Sequence, residues 1–294
     1  MKRFCFWTIS LGILTAGLTA CSSNEHEALH ENAAFSVVSA IQGNTRAPQL
    51  DASGAGSFVQ GDVNTLFFQN GSGALEKTFS YTYGNNYYWY DLELRQPIDG
   101  LKVSACYPPV NAPTPQTFSW DVTSTQILTP DFLAAAATPL QQNVTSQVNL
   151  KFKHLMHRFA VKLVADGSTV TQTSLTTATL TLSQWKPAAT INLLTAEVLG
   201  TTGSPALKTI TGDQAAFIIP PQSVGDAQLK VQVDNRSQTF KLSEIKVGST
   251  PVSQLESGKT LTLTIQVSKG AFVITGQSIN GWGNQGEADG EIIL

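Results

Sequence analysis

Cysteine is scarce in this chain of 294 residues, which contains only Cys5, Cys21 and Cys106. The first two lie in or directly after an apolar N-terminal stretch that is typical of a signal peptide. The exported chain would keep a single unmodified thiol, and one thiol forms no internal disulfide. A fold of about 270 residues must then be stabilised by its hydrophobic core, which a chain of that length can supply.

Charged residues are also few, at 13% of the chain, and neither sign forms a long run. Without Lys2 and Arg3 of the signal, 16 basic residues face 21 acidic ones, a formal charge of −5. This balance offers nucleic acid no basic surface, so no nucleic-acid partner is expected. Thr, Ser, Asn and Gln are abundant instead, and such side chains suit the exposed faces of β-strands in exported proteins.

Residues 1–20 are predicted to form a signal peptide, because two basic residues precede a short apolar run. That run is shorter than the roughly 20 apolar residues that a membrane helix needs, and no later segment reaches this length. It ends in Leu18-Thr19-Ala20-Cys21, which resembles the bacterial lipobox. We therefore expect cleavage before Cys21 and attachment to a membrane through lipid on that cysteine. The alternative is an ordinary signal peptide with an incidental cysteine.

Residues 21–46 are predicted to form a tether and one strand. The segment 22–31 is polar and acidic without an apolar period, which favours a flexible linker. Residues 33–41 predict a strand, because Phe35, Val37 and Ile41 fall at near-alternate positions among β-branched neighbours. Residues 43–48 then interrupt the strand with glycine and proline, as an accessible loop would.

The rest of the chain predicts short strands separated by turn residues, with no helical period longer than two turns. This pattern favours an all-β fold, and the length favours two sandwiches, over residues 47–165 and 166–294. Within the first, residues 79–83 and 87–94 predict a hairpin around Gly84. Residues 131–137 are the best helix candidate, because Asp131 follows Pro130 as a possible cap.

Two motifs resemble catalytic signatures. Residues 26–30 match H-E-x-x-H, a zinc-protease motif, but they lie beside the lipidated cysteine, and no third ligand or buried helix accompanies them. Residues 281–286 match G-x-G-x-x-G, yet too few residues follow to form the helix of a dinucleotide site. We therefore predict no metal site, no cofactor and no enzymatic activity, and we expect Trp282 to pack on the sandwich.

Two further clusters could bind a ligand or be purely structural. His154 and His157 belong to a local basic patch, but strand residues three apart face opposite sides, so a hydrogen-bonded or edge-protecting role is the main expectation. Aromatic residues are dense over positions 81–90. Their rings suit sugar faces and protein interfaces, although a core role accounts for about half of them equally well.

Together, four stretches resemble the fimbrillin family, the fimbrial subunits of Bacteroidetes. These are residues 40–47 (AIQGNTRA), 148–163 with the core Phe152-Lys153-His154, 216–222 (AFIIPPQ) and 257–263 (SGKTLTL). The resemblance implies two transthyretin-like β-sandwiches in tandem. It also implies a lipoprotein precursor that reaches the outer membrane and then joins a cell-surface fimbrium.

By the same resemblance, an arginine-specific protease cuts between Arg46 and Ala47 and removes the lipid together with the strand at 33–41. The emptied groove is then filled by a strand of another fimbrial subunit, in a homo- or heteropolymer. Ile292, Ile293 and Leu294 are the donor candidates, because three apolar residues end a polar segment. Arg46 could equally be an ordinary loop arginine. The alternative function is a permanently lipid-anchored surface protein that binds glycan or host ligand through the aromatic residues.

Overall fold

The computed structural model describes residues 33–41, 58–94, 96–125 and 129–282. It confirms the predicted all-β class. The strands, in chain order, are β1 (Ala34–Ile41), β2 (Val63–Gln69), β3 (Leu75–Thr82), β4 (Tyr87–Tyr88), β5 (Lys102–Tyr107), β6 (Phe118–Asp121), β7 (Leu133–Pro139), β8 (Gln147–His154), β9 (His157–Ala165), β10 (Thr179–Trp185), β11 (Ala188–Asn192), β12 (Glu197–Thr202), β13 (Ala206–Thr211), β14 (Gln214–Ile219), β15 (Gln222–Ser223), β16 (Gln228–Val233), β17 (Arg236–Lys241), β18 (Lys246–Val247), β19 (Thr250–Pro251), β20 (Gln254–Leu255), β21 (Lys259–Val267) and β22 (Phe272–Gly281).

Short 3₁₀ helices connect some of these strands. They span Trp89–Leu92, Pro115–Thr117, Gln172–Thr177 and Leu242–Glu244. Over the described ranges, no helix is long and apolar enough to cross a membrane.

The first sheet has seven strands in the order β3-β2-β5-β7-β8-β1-β4. Its strand β1 runs parallel to β8, with Ser36–Ile41 opposite Gln147–Phe152, and pairs with β4 through only two residues. The sheet is curled. Aromatic side chains at the end of β3 and directly after it contact residues on β1 and β4, which stand at the other end of the strand order. Side chains of one edge strand therefore face the first strand of the chain.

The second half of the chain forms three larger groups, β13-β10-β16-β17, β12-β11-β6 and β14-β9-β21-β22. Strand β6 belongs to the first half of the chain, but it pairs with β11 of the second half. Strand β9 pairs only with β14 and β21 among the described strands. The alternation of buried and exposed side chains changes phase near Leu155-Met156, where the chain passes from the first sheet to the group that contains β9. The domain division after residue 165 stays a prediction.

Buried apolar side chains form two clusters. The smaller one lies on one face of the first sheet and includes Phe35, Phe68, Trp89 and Phe152. The larger one fills the second half of the chain and extends to the opposite face of the first sheet, where it includes Phe67. The central strands of the first sheet are thus buried on both faces, and the burial of β2 is nearly continuous, including its polar residues Asn64, Thr65 and Gln69.

The predicted helix at 131–137 is wrong, because these residues enter the strand β7. Ala134 and Ala135 are fully buried, and they pair with β5 on one side and β8 on the other. Alanine has a high intrinsic helix propensity, but propensity is a weak prior when a sheet offers two hydrogen-bonded neighbours. Tertiary pairing decides the structure here.

The predicted hairpin across residues 79–94 is also wrong. Strand β3 pairs with β2, whereas β4 pairs with β1, so the two arms do not form a ladder with each other. The second arm is only two residues long before it turns into the helix Trp89–Leu92. The Tyr87 hydroxyl nevertheless links the arms, by accepting a hydrogen bond from the backbone nitrogen of Thr82 at 3.2 Å.

Candidate functional site

The strand β1 occupies a groove between β8 and β4, and this groove is the candidate functional site. Alternating aromatic and β-branched residues favour the extended conformation of β1, as the sequence predicts. Its first residues form backbone hydrogen bonds on both sides. The Ser36 backbone N–H donates to the Ser146 carbonyl at 2.9 Å, and the Trp89 backbone N–H donates to the Ala33 carbonyl at 3.0 Å. The strand is therefore an integral part of the sheet in the unprocessed chain.

The inward side chains of β1 are buried. Phe35, Val37 and Ile41 expose only 2%, 6% and 8% of their surface. Phe35 lies edge-on to Trp89, with ring centroids 5.3 Å apart, and 6.1 Å from the ring of Phe68. Removal of β1 would uncover apolar walls of the smaller core cluster and one edge of β8, both of which favour a replacement strand.

Two tyrosines near the end of β3 contact β1 through their hydroxyl groups. The Tyr81 hydroxyl accepts a hydrogen bond from the backbone nitrogen of Val37 at 3.1 Å. The Tyr83 hydroxyl donates to the Ser39 hydroxyl at 2.8 Å and accepts from the Asn64 side-chain amide at 3.1 Å. Sequence reasoning noted the tyrosines only as part of an aromatic cluster and missed Asn64, because the contacts depend on the curl of the sheet.

The aromatic cluster divides into buried and exposed members. Tyr81 and Trp89 are buried, and the Trp89 indole donates to the Thr145 carbonyl at 2.9 Å. Tyr88 and Tyr90 are exposed by 39% and 54%, and their parallel rings lie 5.6 Å apart. Four of the six aromatic residues therefore belong to the smaller core cluster or pack against it, and one exposed pair remains available to solvent.

The two histidines lie at the junction of the halves, each with its own partner. His154 is buried, its Nδ1 lies 2.7 Å from the Asp131 carboxylate, and its ring stacks on Trp282 at 4.4 Å. Gly258 adopts a positive φ of +68° here, and an added Cβ would lie 3.1 Å from the His154 carbonyl. The predicted hydrogen-bonded role of the histidines and the packing of Trp282 are confirmed.

His157 donates from Nδ1 to the Glu256 carbonyl at 2.9 Å, and burial lowers its pKa from 6.5 to about 4. Between pH 6.5 and 4 the unfolded chain binds a proton that the folded chain excludes, so acidification lowers stability by up to about 3 kcal/mol. The contribution of His157 to stability is therefore largest above pH 6.5 and is lost completely below pH 4. Urea unfolding at pH 7 and 4.5 should show a smaller difference for His157→Asn than for the unchanged chain. Equal differences would contradict this assignment.

Several predicted sites lie outside the described residues. They are Cys21, the cleavage pair Arg46 and Ala47, the H-E-x-x-H motif at 26–30 and the donor candidates at 292–294. Across the described ranges, no group of three or more His, Cys, Asp or Glu side chains could hold a metal ion. The predicted pro-strand residues Phe35, Val37 and Ile41, in contrast, lie within the described residues.

The family model described as fimbrillin-like matches residues 29–282, which include β1 and every strand of both halves. No curated protein matches the chain significantly.

Solved structures share the fold. A candidate cell adhesion protein from Bacteroides uniformis superimposes with a TM-score of 0.64 at 18% identity, covering 85% of this chain and 98% of its own. A second, from Bacteroides ovatus, gives 0.59 at 17% identity, covering 83% and 97%. Because the family model matches most of the sequence, the chain belongs to the fimbrillin-like family.

Proposed function

We propose that this chain is a non-enzymatic fimbrial subunit, made as an outer-membrane lipoprotein precursor and assembled at the cell surface by strand exchange. Lipid on Cys21 holds the precursor at the membrane until an arginine-specific protease cuts between Arg46 and Ala47. The cut releases β1, and a strand of a neighbouring subunit replaces it in the groove. Ile292, Ile293 and Leu294 are the proposed contribution of this chain to the groove of another subunit.

The observation that carries the proposal is the position of β1. It is an N-terminal strand that precedes the proposed cut, pairs with β8 over six residues and buries three apolar side chains. Its other neighbour, β4, pairs with it through only two residues. Replacement of β1 would therefore disturb little pairing besides that with β8. Membership of the fimbrillin-like family supports the same function. The similar structures named as candidate cell adhesion proteins are consistent with a location at the cell surface.

A disulfide that locks β1 onto β8 tests the exchange. Val38 and Asn149 are directly opposite, and both are exposed on the outer face. Neighbouring strands lie about 4.8 Å apart, within the range of about 4.4 to 6.8 Å that suits a disulfide between the two Cα atoms. The oxidised Val38→Cys/Asn149→Cys chain is expected to form no polymer ladder on gels of unboiled samples, because the cut strand cannot leave. Reduction should restore the ladder.

Single cysteine variants are the matched controls, since they alter the same exposed positions without a crosslink. Cys106 is buried, so it does not compete for the new thiols. Processed protein should begin at Ala47 in both controls. Ladders of equal strength from the oxidised double variant would show that release of β1 is not part of assembly.

The exposed pair Tyr88 and Tyr90 favours the second candidate, a lipid-anchored protein that binds glycan or a host ligand. Parallel aromatic rings at the surface suit the apolar face of a sugar. In that case the protein recovered from cells would still begin at the acylated Cys21 and would remain monomeric, with or without the locking disulfide.

A further inference from the structure

The groove that holds β1 has four inward positions, and one of them is polar. Phe35, Val37 and Ile41 fill apolar positions, whereas Ser39 lies between the last two and faces the Tyr83 hydroxyl. In a strand that runs parallel to β8, these residues alternate with exposed ones. The groove therefore presents an ordered series of one aromatic, one aliphatic, one hydroxyl and one aliphatic position.

The polar position is fixed by residues that do not belong to β1. The Tyr83 hydroxyl accepts from Asn64, which is fully buried, and it donates to Ser39. The ring of Tyr83 stacks on Phe58 with centroids 5.0 Å apart, which holds the hydroxyl in place. The Tyr83 hydroxyl is protonated at neutral pH and acts as a donor to Ser39, and burial raises its pKa further above the ordinary value. An occupant of the groove must supply the acceptor.

An aliphatic side chain at this position would leave the half-buried Tyr83 hydroxyl without the acceptor that Ser39 supplies. An unsatisfied polar group of this kind weakens an interface more strongly than a missing apolar contact of similar size. A second requirement comes from Tyr81, whose hydroxyl accepts the backbone N–H of Val37 and so excludes proline two residues before the polar position. The groove thus distinguishes between strands by sequence.

Building on the proposed strand exchange, we propose that the Tyr83–Asn64 pair selects an incoming strand with serine or threonine at the position of Ser39. The full pattern is aromatic-x-aliphatic-x-hydroxyl-x-aliphatic. The predicted donor residues of this chain, Ile292, Ile293 and Leu294, offer no hydroxyl group, and the wider segment 283–294 contains neither serine nor threonine. The groove therefore accepts a strand from a different kind of subunit in preference to that segment of a second copy.

Peptide exchange on the protein cut after Arg46 tests this selection. Labelled peptides with the sequence of residues 33–41 replace the bound strand, and their dissociation constants are compared. Ser39→Val should bind about tenfold more weakly, because it removes the acceptor of the half-buried Tyr83 hydroxyl, whereas Ser39→Thr should stay within about threefold. The peptide 283–294 should bind at least as poorly as Ser39→Val. Val38→Ala, on the exposed face, is the matched control and should bind like the unchanged peptide.

The protein variant Tyr83→Phe separates hydrogen bonding from shape. In this variant the difference between the unchanged peptide and Ser39→Val should shrink to about threefold or less, because the donor is absent. Equal binding of Ser39→Val and the unchanged peptide, or tight binding of 283–294, would overturn the selection and leave strand exchange standing. Failure of every peptide, the unchanged one included, would overturn strand exchange and the selection with it.

Discussion

Replacing Phe35 with alanine is expected to lower the free energy of unfolding of the unprocessed chain by about 4 kcal/mol, the usual cost of deleting a buried aromatic ring. The ring is 2% exposed and fills the space between Trp89 and Phe68. Its loss leaves a cavity near the start of β1. This end of the strand pairs with β4 through only two residues. Chemical denaturation of the unprocessed protein, measured at neutral pH, gives the value directly.

The exposed Val38 provides the control for this substitution, since it lies on the same strand with its side chain 44% exposed. Val38→Ala should change stability by less than about 1 kcal/mol. In the proposed assembly, Phe35→Ala should also speed the release of β1, because the same contacts would hold the cut strand. A loss below 1 kcal/mol for Phe35→Ala would show that β1 contributes little to the groove.

Replacing Asp131 with alanine is expected to destabilise the chain by about 2 to 4 kcal/mol, because it leaves two buried groups without their hydrogen-bond partner, at about 1 to 3 kcal/mol each. Its carboxylate lies 2.7 Å from His154 Nδ1 and also accepts the backbone N–H of Phe132 at 2.8 Å. Both side chains are almost completely buried. The substitution leaves His154 between Trp282 and an empty polar site, where the two halves of the chain meet.

The exposed ion pair between Lys77 and Glu93 is the comparison for Asp131. It is close, at 2.6 Å, but both side chains are partly or largely exposed. Lys77→Ala should therefore cost less than about 1 kcal/mol in the same urea titration. If Asp131→Ala and Lys77→Ala had similar small effects, the buried pair would not stabilise the junction.

Local sequence patterns predicted β1 well, because a period of two residues depends only on neighbouring side chains. The strand and its buried Phe35, Val37 and Ile41 lie where the alternation indicates. Its partner could not be predicted, since the parallel pairing joins residues more than 100 positions apart. That the strand is removed after Arg46 stays a prediction.

Predictions failed where tertiary contacts overrule local preference. The alanine-rich stretch 131–137 has a helical composition, but small side chains such as Ala134 and Ala135 suit the buried first part of the strand between β5 and β8. The turn at Gly84 was recognised, yet its two arms pair with different strands because the first sheet curls. Asn64 gave no signal at all, since a buried polar residue is informative only once its partner is known.

The direct continuation of β8 into β9 has a mechanical consequence. The strand that lines the groove ends at His154, and after two residues the chain enters the sheet of the second half at His157. Tension applied through a strand held beside β8 would load its hydrogen bonds together in shear, because the two strands are parallel. The load would then pass along the covalent backbone into β9 and its neighbours, so the two halves would bear a pulling force in series.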